Sequence, residues 1–433
     1  MDEQVKAKNV FSSRNFRLLF LEGLISEIGY ALYSFAVSFY ILELSGNNAF
    51  IQGLFVGVCS AAMLIAMPFG GVLGDRNSKV RIMTACDLIR GALLIAAAVF
   101  MIVTKDQKAN LIVLFAVGIA GNILTGIFGP ASSGLLPYIV DENRLQQATS
   151  YTTIRSSITA IIGVAVAGVL YAALPLPVLF LIMGICYIIS GISVMFIRCE
   201  EQVSEDRLTL KLFFSDMKDG LDYLRTQKAL MILMAAVVFI NFFFVPIGSN
   251  FMPYFIKTDI GGADSYLFDD LITPEMWSSV FSMLMGVSAL VSSVILSAGK
   301  QREKCGRSTA KTLGLIGVFM MSLTAAYWGL VGRGVSLNAF IIFMCIGCVF
   351  LDAAIIFINI PISTVLMRVV DRDKLSKVSS ITSTISQCMV PVSSVIAGIV
   401  LQKLGITPLL IMCAAGFSAT AVMLMRSREI DDI

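Results

Sequence analysis

Twelve apolar runs, each about twenty residues or longer, dominate the chain between residues 16 and 426. They fall near 16–44, 49–74, 80–104, 110–138, 146–173, 177–198, 229–256, 276–299, 309–331, 336–360, 377–402 and 407–426. With 57% hydrophobic and 14% charged residues, the chain carries more apolar surface than a soluble fold of 433 residues can bury. Ordinary globular domains run near ~25% charged. The expected fold class is therefore all-α and integral to the membrane, with twelve transmembrane helices. Connections such as Leu174–Pro177 and Gly405–Pro408 are too short to hold further structure and make antiparallel neighbours. The first ten residues are polar and the run after them is too long for a signal-peptide core, so no cleavable signal is expected.

The Lys and Arg residues orient these spans. With the N-terminus placed in the cytoplasm, 25 of the 32 fall in loops on that side, 5 on the other, and Arg90 and Arg155 inside spans. Both termini are expected in the cytoplasm of a plasma-membrane protein. The net charge of +3 is too small to suggest nucleic acid. Absence of any histidine removes histidine-based catalysis, metal ligation and proton relay. The nine cysteines are scattered, and the redox-like spacing of Cys345 and Cys348 lies inside an apolar run, where small packing residues are expected. No phosphate-binding Gly-x-x-x-x-Gly-Lys-Ser/Thr occurs, so direct use of ATP is not expected.

The one long connection on the cytoplasmic side, 199–228, lies mid-chain. Its 208–224 portion carries Leu212, Phe213, Met217, Leu221 and Leu224 at helical spacing among charges, which predicts an amphipathic surface helix. The connection on the other side, 257–275, is acidic and reads as a solvated face. The two halves repeat one another. Val140-Asp141 and Leu145 recur as Val370-Asp371 and Leu375, and Ala167-Gly168 recurs as Ala397-Gly398. This predicts a six-helix bundle over 1–198, a linker over 199–228 and a second six-helix bundle over 229–433, a transporter plan.

Ionisable residues inside a bilayer are costly, at ~2.5–3.5 kcal/mol even on translocon scales, and so mark function. In the first span Glu27, Tyr30, Ser34 and Ser38 share one helical face, a polar stripe suited to a cavity wall. Glu22 lies on another face. Asp87 and Arg90, three apart, are placed to pair. Arg155 has no local partner and needs an acid from another helix, with Glu22, Glu27 and Asp87 as candidates. In the tenth span Asp352 and Asn359 share a face, and Asp352 is a further coupling candidate. In the seventh span Asn241 and its phenylalanines could line an aromatic pocket, and Pro246 with Gly248 should kink or loosen the helix.

The turn between the second and third spans holds Gly71, Asp75, Arg76, Lys79 and Arg81, and a weaker copy recurs at Gly299, Glu303, Lys304 and Arg307. On this motif and the repeat, the chain resembles the major facilitator superfamily, whose motif has glycine where this chain has Ser78. Asp87-Leu88-Ile89-Arg90 and the Gly129-Pro130-Ala131, Leu136-Pro137 stretch resemble its macrolide-efflux-type branch. The resemblance implies the two-bundle major facilitator fold and drug:proton antiport by alternating access. Its requirements would be a small-molecule substrate, protons and a bilayer, with no cofactor beyond the proton gradient, and a monomeric state is expected. It also implies that Asp75 caps the eleventh helix as a gate latch, with Ser78 the place to look for strain. Two features depart from the resemblance. Tyr30 follows Gly29 where related exporters often have aspartate, and 163–168 lacks the antiporter-type proline. The alternatives on the same fold are a lipid flippase and a nutrient or siderophore transporter; a membrane sensor or an intramembrane enzyme is more remote.

Overall fold

The computed structural model describes residues 10–104, 106–140, 145–199, 218, 228–298, 305–369, 382 and 384–427. Twelve helices in it are long and apolar enough to cross a membrane. They are α1 (Arg14–Leu44), α2 (Ala49–Arg76), α3 (Lys79–Val103), α4 (Gln107–Ile139), α5 (Leu145–Ala173) and α6 (Leu176–Met195), then α7 from Lys228, α8 (Met276–Ala298), α9 (Cys305–Ala326), α10 (Leu337–Val369), the eleventh span Thr384–Leu404 with its regular part α11 (Val390–Leu404), and α12 (Ile406–Arg426). In a hydrocarbon solvent a helix satisfies every backbone group within itself, and this is why each apolar run takes that form. Large apolar side chains such as Val103, Ile112 and Val318 are left exposed, as lipid-facing residues are. Several helices outrun their apolar stretches: α2 reaches Arg76 and α10 reaches Val369. The expected surface helix over 208–224 lies outside the described residues.

The chain forms two compact units. One is Met1–Ala36 with Ile65–Thr209, and the other is Val37–Leu64 with Leu210–Ile433. The second unit thus takes the C-terminal end of α1 and the N-terminal part of α2 along with the second half of the chain.

In the first unit α3 lies along α6 with their backbones in contact. A Cβ on Gly91 would stand 2.7 Å from the Gly184 carbonyl oxygen. Phe11, in the turn Val10–Ser12, packs edge-on against Phe16, Phe20 and Tyr151, tying the chain start to α1 and α5. Ser78 caps α3, its hydroxyl accepting from the Arg81 amide at 3.4 Å. Its φ of −56° is ordinary for any residue, so the expected strain is absent. The serine does there what serines do at helix starts, worth ~1 kcal/mol.

In the second unit, α7 does not run as one regular helix. It is α-helical over Lys228–Pro246, forms a π turn at Ile247–Phe251, regains α geometry at Met252–Phe255, and forms a second π turn at Ile256–Ile260. The loosening expected at Pro246 and Gly248 takes this form, since proline removes an amide from the ladder and an extra residue per turn absorbs the mismatch. The N-terminal part of α2 meets α11 backbone to backbone. A Cβ on Gly53 would stand 2.8 Å from Gly398 Cα, and one on Gly57 2.8 Å from the Pro391 carbonyl oxygen. Gln402 Oε1 accepts from the Ala49 amide at 2.8 Å, closing the start of α2.

Candidate functional site

Glu27 is the centre of a hydrogen-bonded cluster in the first unit. Arg155 Nη2 donates to its Oε1 at 2.8 Å and Ser156 Oγ to the same oxygen at 2.9 Å. Thr159 Oγ1 donates to Oε2 at 2.6 Å. Arg155, Ser156 and Thr159 lie on one turn of α5 and so reach the same carboxylate on α1. The Arg155 guanidinium occupies the space a side chain at Gly23 would fill, and a Cβ there would overlap its nitrogens. Of the three acids proposed for Arg155, the structure selects Glu27.

A second cluster lies on another face of α1. Glu22 is 2% exposed and faces Ser190 of α6. Ser190 Oγ stands 2.8 Å from Asp87 Oδ2 and 3.5 Å from Glu22 Oε1, so one hydroxyl joins two carboxyls. Asp87 and Arg90 form the expected local pair at 3.0 Å, with Asp87 fully buried. The Arg90 guanidinium lies over the rings of Phe128, at 4.9 Å, and Tyr187, at 5.6 Å. The two clusters together hold three carboxyl groups, Glu22, Glu27 and Asp87, and two guanidinium groups, Arg90 and Arg155.

Tyr30 lies half-exposed at the edge of a pocket shared with Arg90, Asn122 and Thr125. Ser34 is exposed. Lys79 stands at the start of α3. It is buried, its Nζ 4.8 Å from the centre of the Tyr138 ring. Its methylene stem lies against Gly134, where a Cβ would be 3.0 Å from Lys79 Cε. Lysine stems readily pack this way on apolar surface. Arg81 remains exposed. Gly71 has open space around it, while the side chains of Asp75 and Arg76 and the expected start of the eleventh helix near 377–380 lie outside the described residues.

The second unit is chemically different. Asn241 Nδ2 donates to the Ser386 carbonyl at 3.1 Å and ties α7 to the eleventh span. Phe243 packs on Gly416 and tilts against Phe417. A pocket of about 150 Å³ lies among Phe244, Gly248, Met285, Leu323, Met344 and Cys348, nearly all apolar. Asp352, one turn beyond Cys348 on α10, keeps one buried carboxylate oxygen without a hydrogen-bond partner, and Asn359 is exposed. Cys345 and Cys348 are free thiols. At the end of α7, Lys257 pairs with Glu275 at 3.2 Å and with Glu43 at 3.9 Å.

Sequence reasoning missed Ser190, Thr159, Ser156 and Gly23. Only Thr159 carried a signal, its i,i+4 spacing from Arg155 on one face of α5. The other three are ordinary small residues until the packing of distant helices brings them to a carboxylate or a guanidinium.

Comparison with known proteins places the chain in a family. The family model described as Major Facilitator Superfamily matches residues 19–394. The chain is 23% identical over 393 residues to macrolide efflux protein A of Streptococcus pyogenes, covering 88% of each chain. A shorter match, 28% identical over 181 residues, reaches the staphyloferrin A transporter of Staphylococcus aureus, with 42% of this chain and 43% of that one covered. Among solved structures, a bacterial homologue of the iron transporter ferroportin in an inward-facing state superimposes with a TM-score of 0.72 at 17% identity, covering 95% of this chain and 98% of that one. A twelve-helix membrane fold, a buried charged cluster between helices and a family match over most of its length identify the chain as a multi-pass transporter of the major facilitator superfamily.

Proposed function

We propose that the chain exports a hydrophobic or amphipathic small molecule in exchange for protons, by alternating access, with both termini in the cytoplasm. The observation that carries this is the arrangement around Ser190. A hydroxyl has one proton to give. With that proton directed to Asp87 at 2.8 Å, Glu22 approaches the same oxygen at 3.5 Å. Two acceptors facing one spent donor repel, whereas a protonated Glu22 can donate to Ser190. The charge count points the same way, because three carboxylates facing two guanidinium groups leave one negative charge buried without a counter-ion, a costly state that a proton relieves. Glu22 is thus the proton-carrying group of this reading. The Glu27–Arg155 pair positions α1 against α5, and the gate motif at Asp75 latches the cytoplasmic side.

Efflux as the direction rests on the likeness to the macrolide efflux relative over 88% of the chain. The apolar, methionine-lined pocket of the second unit suits an adaptable hydrophobic cargo. A siderophore is the second reading, favoured by the staphyloferrin A transporter match over part of the chain. The test is flux of a fluorescent hydrophobic dye from proteoliposomes under an imposed pH gradient, with internal pH followed at the same time. Dye movement should accelerate when protons can flow the opposite way, and Glu22→Gln should uncouple the two. Flux indifferent to the gradient in the native chain would sink the coupling, and transport of iron-chelating ligands but no dye would favour the second reading.

A further inference from the structure

The first π turn of α7 borders the cavity of about 150 Å³ in the second unit, whose other walls come from α8, α9 and α10. Ile247, Met252, Met344 and Cys348 are buried around it, and among the described residues that line it only Gly248 is exposed. The way in therefore lies beside Gly248. A Cβ at that glycine would meet no atom within 4 Å, so the mouth has room for a side chain. No charged side chain lines the wall, and its one side-chain hydrogen-bond donor is the Cys348 thiol, a weak one.

We propose that this cavity is a binding subsite for one unsubstituted aromatic ring carried by the transported molecule. Volume sets the size, since an apolar cavity of about 150 Å³ takes a benzene ring and gives water too few polar partners to stay. Polarity sets the class. An ion would surrender its hydration with no counter-charge in the wall, and a hydroxyl or amine on the ring would lose its water partners for at most one thiol. Sulfur sets the shape. Met252, Met285 and Met344 share the wall with Phe244, and thioethers and rings both make favourable contacts with an aromatic edge. The methionine chains bend around whatever enters, so volume rather than outline is the limit. The inference rests on the transport reading above for the molecule that bears the ring, but not on proton coupling.

Fluorobenzene tests it, and para-fluorophenol is the same ring with a hydroxyl. The full chain in lipid nanodiscs is titrated with each, and broadening of the fluorine NMR line is read after subtracting that of protein-free nanodiscs. The native chain should broaden fluorobenzene, and para-fluorophenol about tenfold less. Gly248→Leu fills the mouth and should cut the fluorobenzene effect about tenfold, the loss of one buried ring. Met344→Ala carries the test if that variant does not fold. It enlarges the cavity and should admit fluoronaphthalene, which the native chain should exclude. In proteoliposomes fluorobenzene should also slow movement of a phenyl-bearing dye by the native chain. Equal broadening by native and Gly248→Leu proteins, or para-fluorophenol broadened as strongly as fluorobenzene, would overturn the subsite. So would fluoronaphthalene entering native and Met344→Ala proteins alike, or bound fluorobenzene that leaves dye movement untouched. Broadening and slowing that persist while flux ignores the pH gradient would leave the subsite standing and remove the coupling alone.

Discussion

The two units bury opposite kinds of chemistry. The first surrounds α1 with three carboxyls, two guanidinium groups and hydroxyls that join them. The second offers an apolar pocket of about 150 Å³, a helix loosened by two π turns, and, in α10, Asp352 with an oxygen left unbonded. The difference lies in how each interior is built. One holds charge in a fixed network, where each group is worth most when all are present. The other has kept a soft, shapeable interior, and its irregular backbone sits beside the pocket that would need to adapt. The lesson is that sequence symmetry in such a chain predicts the helices and not the sites.

Breaking the charged side should have the larger effect. Gly23→Val would drive a side chain into the Arg155 guanidinium, separating it from Glu27. Uncompensated buried charges cost ~3–5 kcal/mol, so this variant should unfold at markedly lower temperature in a melting assay and show no gradient-driven flux. A Gly23→Val protein with native stability would disprove the packing of Arg155 over that glycine. Glu27→Gln keeps the shape but removes the charge partner; flux should fall by about two orders of magnitude, ~3 kcal/mol, with a smaller loss of stability than Gly23→Val. Glu22→Gln should spare folding and facilitated movement of solute down its own gradient, yet remove proton counterflow recorded by an internal pH dye. On the soft side, Met344→Ala enlarges an adaptable pocket and should raise KM by roughly threefold to tenfold at little cost in stability. Asp352→Asn should do least, with flux within about threefold of native. An Asp352→Asn variant that loses proton counterflow as Glu22→Gln is expected to would show that the second unit shares the proton chemistry, and the contrast between the units would fail.

The sequence carried the fold almost entirely, because bilayer thickness sets helix length and charge cannot hide in lipid. It carried the Asp87–Arg90 pair too, since three residues on a helix is a local rule. It narrowed Arg155 to three acids and stopped there, for the choice depends on how α1 and α5 are rotated against each other. Glu22 illustrates the limit. Its sequence position says only that it faces away from the polar stripe, and nothing local indicates that Ser190, 168 residues later, stands between it and Asp87. At Ser78 the family pattern misled: expecting glycine suggested strain, while the plain reading of serine before a helix gives the cap that is seen. At Asn241 the side chain was legible as polar, but its use depended on a carbonyl 145 residues away.

The contact of α2 with α11 has a consequence for how this chain can change over generations. Gly53 and Gly398 meet with no side chain on either partner, so neither can shrink to make room for growth in the other. Most packed pairs can drift by trading volume across the interface; this one has nothing to trade. Single and double alanine variants at the two positions should therefore be penalised together, with no rescue between them in a double-mutant cycle. The place where these backbones touch should stay fixed while the residues around the apolar pocket of the second unit vary.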